Sequence, residues 1–277
     1  MKTILSIQSQ VAHAGVGNSI AVFAMQRLGV RVIALPTTLL GRRPDRGDPG
    51  GGPLPKETLK SLLEGLDADG ALANIGAVIS GYVGDAEQVE IILDAVERVR
   101  AQSPGAVYVC DPVLGDDGRS YVSPDIADAI INGLVPRADW LTPNFFEFGM
   151  ATNREIKTLD AARDVARYVG RPVLVSSIPS ENGVGVLYAA PGGDWYCETP
   201  LLPSAPKGAG DLLTALFTAR RIKGEAPAVA LEASVGALYD VLVRTLALQR
   251  DEIAVIEAQD LLVEPKTWPK ARALTAP

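Results

Sequence analysis

The sequence predicts an α/β fold. From residue 3 onward, short apolar runs of strand length alternate with longer segments that carry apolar residues at helical spacing. The first 35 residues read strand, helix, strand, an order that gives a parallel pair with a right-handed crossover. At 277 residues and 47% apolar content, the chain has ample material for a large core. No internal repeat and no compositional boundary divides it, so residues 1–277 read as a single domain.

Composition narrows the function classes. A net charge of −7 argues against nucleic acid or an anionic membrane as the main partner, yet leaves room for a local phosphate site. Two cysteines, Cys110 and Cys197, offer no disulfide framework and suit a reducing, cytoplasmic setting. The opening residues read as a first strand rather than a signal peptide, and no segment reaches membrane-spanning length. His13 is the lone histidine, which argues against a histidine-based triad or metal site.

Taken in order, residues 3–7 form a buried strand, followed by a polar loop over 8–17. Asn18 and Ser19 start a helix to about residue 28, Gly29 closes it, and 30–35 is the second strand. Ser9 falls where loops of an open parallel sheet line a ligand crevice, and it reads equally well as a plain turn residue. Residues 41–53 are so dense in Gly, Pro and charge that a mobile loop, without packed structure, is predicted; it is a lid or a solvated excursion. A helix over 55–66 carries Leu59, Leu62, Leu63 and Leu66 on one face. Residues 77–80 form a strand ending in the turn Gly81-Tyr82-Val83-Gly84, and 85–100 is an amphipathic helix.

A strand over 106–110 runs into Asp111-Pro112, placing an aspartate at a strand end where it could hold Mg²⁺ through water or simply begin a turn. A helix over 123–133 precedes a short strand at 138–142, and Glu147 follows that strand within reach of the same crevice. A helix at 158–168 and a strand at 172–177 lead to an antiparallel pair, 183–190 and 195–199. Residues 227–249 supply one long or two short helices, and a polar, proline-containing tail begins at Asp260.

Between the antiparallel pair and those last helices lies Gly208-Ala209-Gly210-Asp211, followed by Leu212, Leu213, Leu216 and Ala219 on one helix face. The glycines read as the turn that starts a buried helix. A helix start carries unpartnered amides and partial positive charge, and glycines let a phosphate come close. Asp211 in the first turn is then placed to take a proton from an attacking hydroxyl. The plainer reading is a turn followed by an acidic residue that suits the helix dipole.

Several segments, in this order, resemble the ribokinase superfamily, and most closely its pyridoxal kinase branch. They are Ser6-Ile7-Gln8-Ser9, Gly17-Asn18-Ser19, Arg27-Leu28-Gly29, Ser80-Gly81-Tyr82-Val83-Gly84, Cys110-Asp111-Pro112-Val113-Leu114-Gly115, Thr142-Pro143-Asn144, Gly208-Ala209-Gly210-Asp211 and Ala258-Gln259-Asp260. The resemblance implies a ribokinase-like fold, a central and mainly parallel sheet flanked by helices on both faces, in a homodimer. It implies ATP-dependent phosphorylation of the 5′-hydroxymethyl group of pyridoxal, with ATP and Mg²⁺ required. Asp211 is then the catalytic base and the amides of Gly208, Ala209 and Gly210 the anion hole. Ser9, Pro44, Asp45 and Tyr82 border the substrate. Asp111, Thr142, Glu147, Ser176, Thr199, Pro200, Leu201 and Leu202 border ATP, with Asp111 and Glu147 near the metal, largely through water.

Two departures bear on substrate choice. The lid segment reads Pro44-Asp45-Arg46-Gly47 where that branch carries a Thr-Gln-Tyr-Gly-like stretch, and Ser176 stands where it carries a lysine that reaches the nucleotide. Arg42, Arg43 or Lys207 could restore the missing charge. A kinase for another hydroxymethyl heterocycle or a sugar, and a non-catalytic binder of a B6-type ligand, are the alternatives.

Overall fold

The computed structural model describes residues 2–116, 118–181, 183–204 and 206–274. The first strand, β1 (Thr3–His13), is followed by helix α1 (Asn18–Arg27) and β2 (Arg31–Arg42). A short β3 (Gly51–Pro53), α2 (Lys56–Ala68), β4 (Ile75–Ser80), α3 (Gln88–Gln102) and β5 (Val107–Cys110) complete the first half. A small hairpin of β6 (Gly115–Asp116) and β7 (Arg119–Ser120) then leads to α4 (Pro124–Ala129), β8 (Trp140–Leu141) and α5 (Phe145–Thr152). The second half runs through α6 (Leu159–Val169), β9 (Val173–Pro179), β10 (Gly183–Ala190) and β11 (Gly193–Pro200). It closes with α7 (Ala209–Ile222), α8 (Pro227–Ala247), α9 (Gln259–Val263) and β12 (Arg272–Ala273).

One ten-stranded sheet joins these strands in the order β12-β11-β10-β9-β8-β5-β4-β1-β2-β3. Its centre, from β2 to β9, is parallel, and antiparallel strands finish both edges. Side-chain alternation along β1 divides the core: Leu5 and Ile7 pack with Leu59 and Leu63 of α2 and Ile92 and Val96 of α3. Ile4 faces the other way, against Met25 of α1 and Leu212 and Leu216 of α7. With both faces covered, every residue of β4 is buried, the pattern of a parallel strand between two helical layers. The α/β architecture of the expectation is observed.

Two local expectations are corrected. β1 continues to His13 instead of ending at residue 7, and its pairing with β2 shifts register between Gln8 and Gln10, leaving Ser9 at a bulge. Residues 41–53 are built: β2 runs through Arg42, Pro44 to Arg46 form a single 3₁₀ turn, and β3 folds back on Thr38 to Leu40. Composition predicts a mobile loop there because it cannot report pairing at a sheet edge. Within the polar tail, β12 adds to β11 at Trp195 and Tyr196. Residues 227–247 form one helix, the first of the two options.

Candidate active site

The carboxyl ends of β1, β4, β5, β8 and β9 open toward one end of the sheet, where α7 begins. Gly208 sets that beginning. Its φ of +99° lies in the left-handed region, and a Cβ there would run into the carbonyl oxygen of Gly15. The first helical bond of α7 runs from the Leu212 amide to the Gly208 carbonyl at 2.9 Å. The amides of Ala209, Gly210 and Asp211 therefore precede the intrahelical ladder, and among the described residues no side chain caps them. By contrast, Ser123, Asn144 and Thr158 cap α4, α5 and α6. The bare, glycine-rich end of α7 is available to an anion.

Asp211 occupies the first turn of α7. Burial pushes its carboxyl up to about 6, against the opposing effect of the Gly17 amide. One turn along the same helix, the Thr214 hydroxyl donates to Asp111 Oδ2 at 3.2 Å. Asp111 follows directly on β5 and is 6% exposed. Burial, and then the charges of Glu147 and Asp211, hold its carboxyl well above the usual range.

Glu147 has a different task in view. Its Oε1 accepts the amides of Leu114 and Gly115 at 3.0 and 3.3 Å, and Oε2 accepts the Asn144 amide at 2.9 Å. Asn144 Oδ1 in return accepts the Glu147 amide as a helix cap, and its Nδ2 donates to the Gly115 carbonyl. The carboxylate thus ties the loop after β5 to the start of α5; burial pushes it up to about 7. Thr142 follows β8, its amide donates to the Cys110 carbonyl, and its buried Oγ1 has no partner among the described residues.

A cleft of about 500 Å³ opens beside the α7 start. It gathers Ser176 of β9, Thr199, Pro200, Leu201 and Leu202, and Ala209 and Gly210. Asp111, Thr142 and Glu147 do not line it; Asp111 and Thr142 are buried just after β5 and β8, and Glu147 in the first turn of α5. Leu238 and Leu242 of α8 give the cleft an apolar wall that sequence reading did not assign, although the apolar periodicity of that helix was visible. Also missed were Asp116 and Tyr121, which meet Lys207 at the cleft mouth. A second concavity, of about 600 Å³ at the amino ends of β1 and β2, holds none of the predicted residues.

Ser9, 6% exposed, has its hydroxyl against Gly17, where any side chain would collide with it, and the Gly17 amide in turn reaches Asp211. Tyr82 follows β4; its carbonyl accepts the Thr37 hydroxyl at 2.7 Å and its ring is half-buried. In the 44–46 turn Pro44 is exposed, and the Asp45 carboxylate is held by Arg43 through Nε and Nη2, both at 3.0 Å. Arg46 pairs with Asp251 and Glu252, and Glu252 also accepts the Gly15 amide. Arg42 donates to the Asp48 carbonyl within its own hairpin. Of the three candidate replacements for the cation absent at Ser176, Lys207 alone lines the cleft. Among the described residues no three His, Cys, Asp or Glu side chains gather as a metal set.

A doubly covered parallel sheet with an uncapped Gly-Ala-Gly-Asp helix start at its carboxyl end defines a kinase of the ribokinase superfamily. The chain matches the phosphomethylpyrimidine kinase family model over residues 14–255. It is 40% identical to the pyridoxal kinase PdxY of Rubrobacter xylanophilus, over 95% of this chain and 94% of that one. It is 37% identical to the pyridoxal kinase PdxY of Leifsonia xyli subsp. xyli, over 95% and 96%. The pyridoxal kinase of Leishmania donovani in complex with ADP and pyridoxamine superposes with a TM-score of 0.93, at 27% identity, over 99% of this chain and 100% of that one. The chain belongs to the phosphomethylpyrimidine kinase family, in its pyridoxal kinase branch.

Proposed function

We propose that this protein transfers the γ-phosphoryl group of ATP to the 5′-hydroxymethyl group of pyridoxal, giving pyridoxal 5′-phosphate. The observation that carries the reading is the bare start of α7, whose Ala209 and Gly210 line the cleft and whose first turn carries Asp211 against the Gly17 amide. Full-length relatives that are pyridoxal kinases supply the substrate.

In this reading the nucleotide lies in the cleft along Ser176 and 199–202, with its γ-phosphate at the amides of Gly208, Ala209 and Gly210. Pyridoxal lies against Ser9 and Tyr82, under the lid turn that carries Pro44 and Asp45. Asp211 takes the proton from the hydroxymethyl oxygen as it attacks phosphorus. A carboxylate raised to about 6 remains mostly ionised at neutral pH and is a stronger base than an ordinary aspartate. The amides receive the charge that spreads over the transferred group, so positioning and electrostatics supply most of the rate. Hard carboxylate oxygens at Asp111 and Glu147 suit Mg²⁺ held largely through water, and that ion, when bound, offsets phosphate charge. The buried Thr142 hydroxyl, unpartnered among the described residues, supports a polar ligand at the neighbouring strand end.

We further read the chain as one kinase domain, cytoplasmic and homodimeric. Buried Cys110 and Cys197, neither in a disulfide, support a reducing compartment, and Leu39, 46% exposed on β2 beside the edge strand β3, supports a contact there with a second copy. A second reading, phosphorylation of a hydroxymethyl pyrimidine, is favoured by the family model. Phosphorus NMR of a mixture with ATP, Mg²⁺ and pyridoxal tests the first: a phosphomonoester of pyridoxal should appear, and EDTA should abolish it. Its absence under conditions where ATP binds would contradict the proposal.

A further inference from the structure

The cleft assigned to the triphosphate is poor in positive charge. The chain carries −7 overall, and Asp116 lines the cleft itself. Among the described residues that line it, Lys207 is the one cation. A polyanion entering such a site loses water and meets repulsion unless a cation compensates. Lys207 immediately precedes Gly208, so its backbone is fixed by the same turn that presents the α7 amides.

The ammonium is already engaged. Lys207 Nζ lies 3.3 Å from Asp116 Oδ2, donates to the Tyr121 hydroxyl and sits 4.8 Å from the centre of the Tyr121 ring. Asp116 belongs to β6, and Tyr121 follows β7, so the small hairpin carries both partners. The lysine side chain is 44% exposed and the aspartate 37%, which makes the pair weak and easily exchanged. Burial opposes the charge, but the Tyr121 hydroxyl and Asp116 raise the ammonium above its ordinary range and keep it cationic.

We infer that Lys207 is the cation that binds the nucleotide phosphates, and that Asp116 holds it at the cleft mouth until the phosphates displace the carboxylate. The inference rests on the kinase reading for its ligand. It differs from a merely structural tie between hairpin and helix start in one measurable respect. A tie would make loss of either partner equally harmful. A competing carboxylate makes the two losses opposite in sign.

The test is equilibrium titration with Mg²⁺ and the non-hydrolysable analogue AMP-PNP, with adenosine as the phosphate-free control. Lys207→Met should weaken AMP-PNP about tenfold or more and leave adenosine within about twofold, as expected for loss of a charge-assisted contact. Asp116→Asn should bind AMP-PNP about two- to fivefold more tightly than wild type, since a surface ion pair no longer competes. In turnover, Lys207→Met should raise KM for ATP and leave KM for pyridoxal within about twofold. Unchanged AMP-PNP affinity in Lys207→Met, or weakened affinity in both variants, would overturn the inference. The titration needs no turnover, so a wild type that binds AMP-PNP but phosphorylates no vitamer would refute the function and leave this result standing.

Discussion

The Glu252 carboxylate lies 2.9 Å from the Arg46 guanidinium, and through its other oxygen accepts the Gly15 amide at 3.0 Å. Gly15 in turn packs its carbonyl against Gly208. One side chain therefore connects the 44–46 turn to the start of α7, so the position of that turn bears on the α7 amides.

Loss of that connection should be felt on the substrate side. Glu252→Gln keeps an acceptor for Gly15 but removes the charge that holds Arg46. For a partly exposed pair worth about 1 kcal/mol, KM for pyridoxal should rise about fivefold while KM for ATP changes little. Steady-state kinetics in both substrates checks the split.

Removal of the base should act on the chemical step. Asp211→Ala is expected to lower kcat by about 10² to 10⁴ and leave ATP affinity nearly intact, because proton removal matters mainly in the transition state. Near-normal turnover would take Asp211 out of its role. In the wild type, kcat/KM for pyridoxal should climb with pH as Asp211 loses its proton near 6, then level off.

Gly208→Ala should damage fold and function together. The left-handed φ of +99° and the Gly15 carbonyl in the path of a Cβ both oppose it. Denaturant melting should show a loss of about 1–3 kcal/mol, with kcat reduced because the amides move.

Thr214→Val should deepen a pH-dependent instability. Asp111 is raised in the folded state, so between 3.8 and its folded value the native protein binds more protons than the unfolded chain. Stability from this group is present at low pH and is lost as pH rises through that window. The Thr214 hydroxyl favours the charged form, so its removal raises the carboxyl further. Melts across a pH series should show the variant's deficit growing as pH rises through the window in which folded Asp111 ionises, to about 1–3 kcal/mol at its upper end.

Much of this site was visible as residue types in order. Gly208 and Gly210 around Ala209 announced a helix start, and Asp111 stood at the end of an apolar run, because a turn and a strand end have local signals. What was hidden depends on partners far away in the chain. Residues 41–53 look like loop by composition, yet Thr38 to Leu40 supply the edge that orders β3. The bulge at Ser9 is a property of its pairing with β2. Glu147 reads as a site acid, and only the fold shows its carboxylate accepting three amides. Lys207 and Asp116 are 91 residues apart, and nothing near either one marks the other.

The most direct test of the central claim is ADP release with Mg²⁺-ATP, measured as kcat/KM for pyridoxal, pyridoxine, pyridoxamine and the hydroxymethyl pyrimidine. Pyridoxal should be turned over at a kcat/KM at least about tenfold above that of the pyrimidine, and Asp211→Ala should abolish the signal. Turnover of the pyrimidine with none of pyridoxal would keep the kinase and refute the substrate, and no turnover of any would contradict the kinase itself.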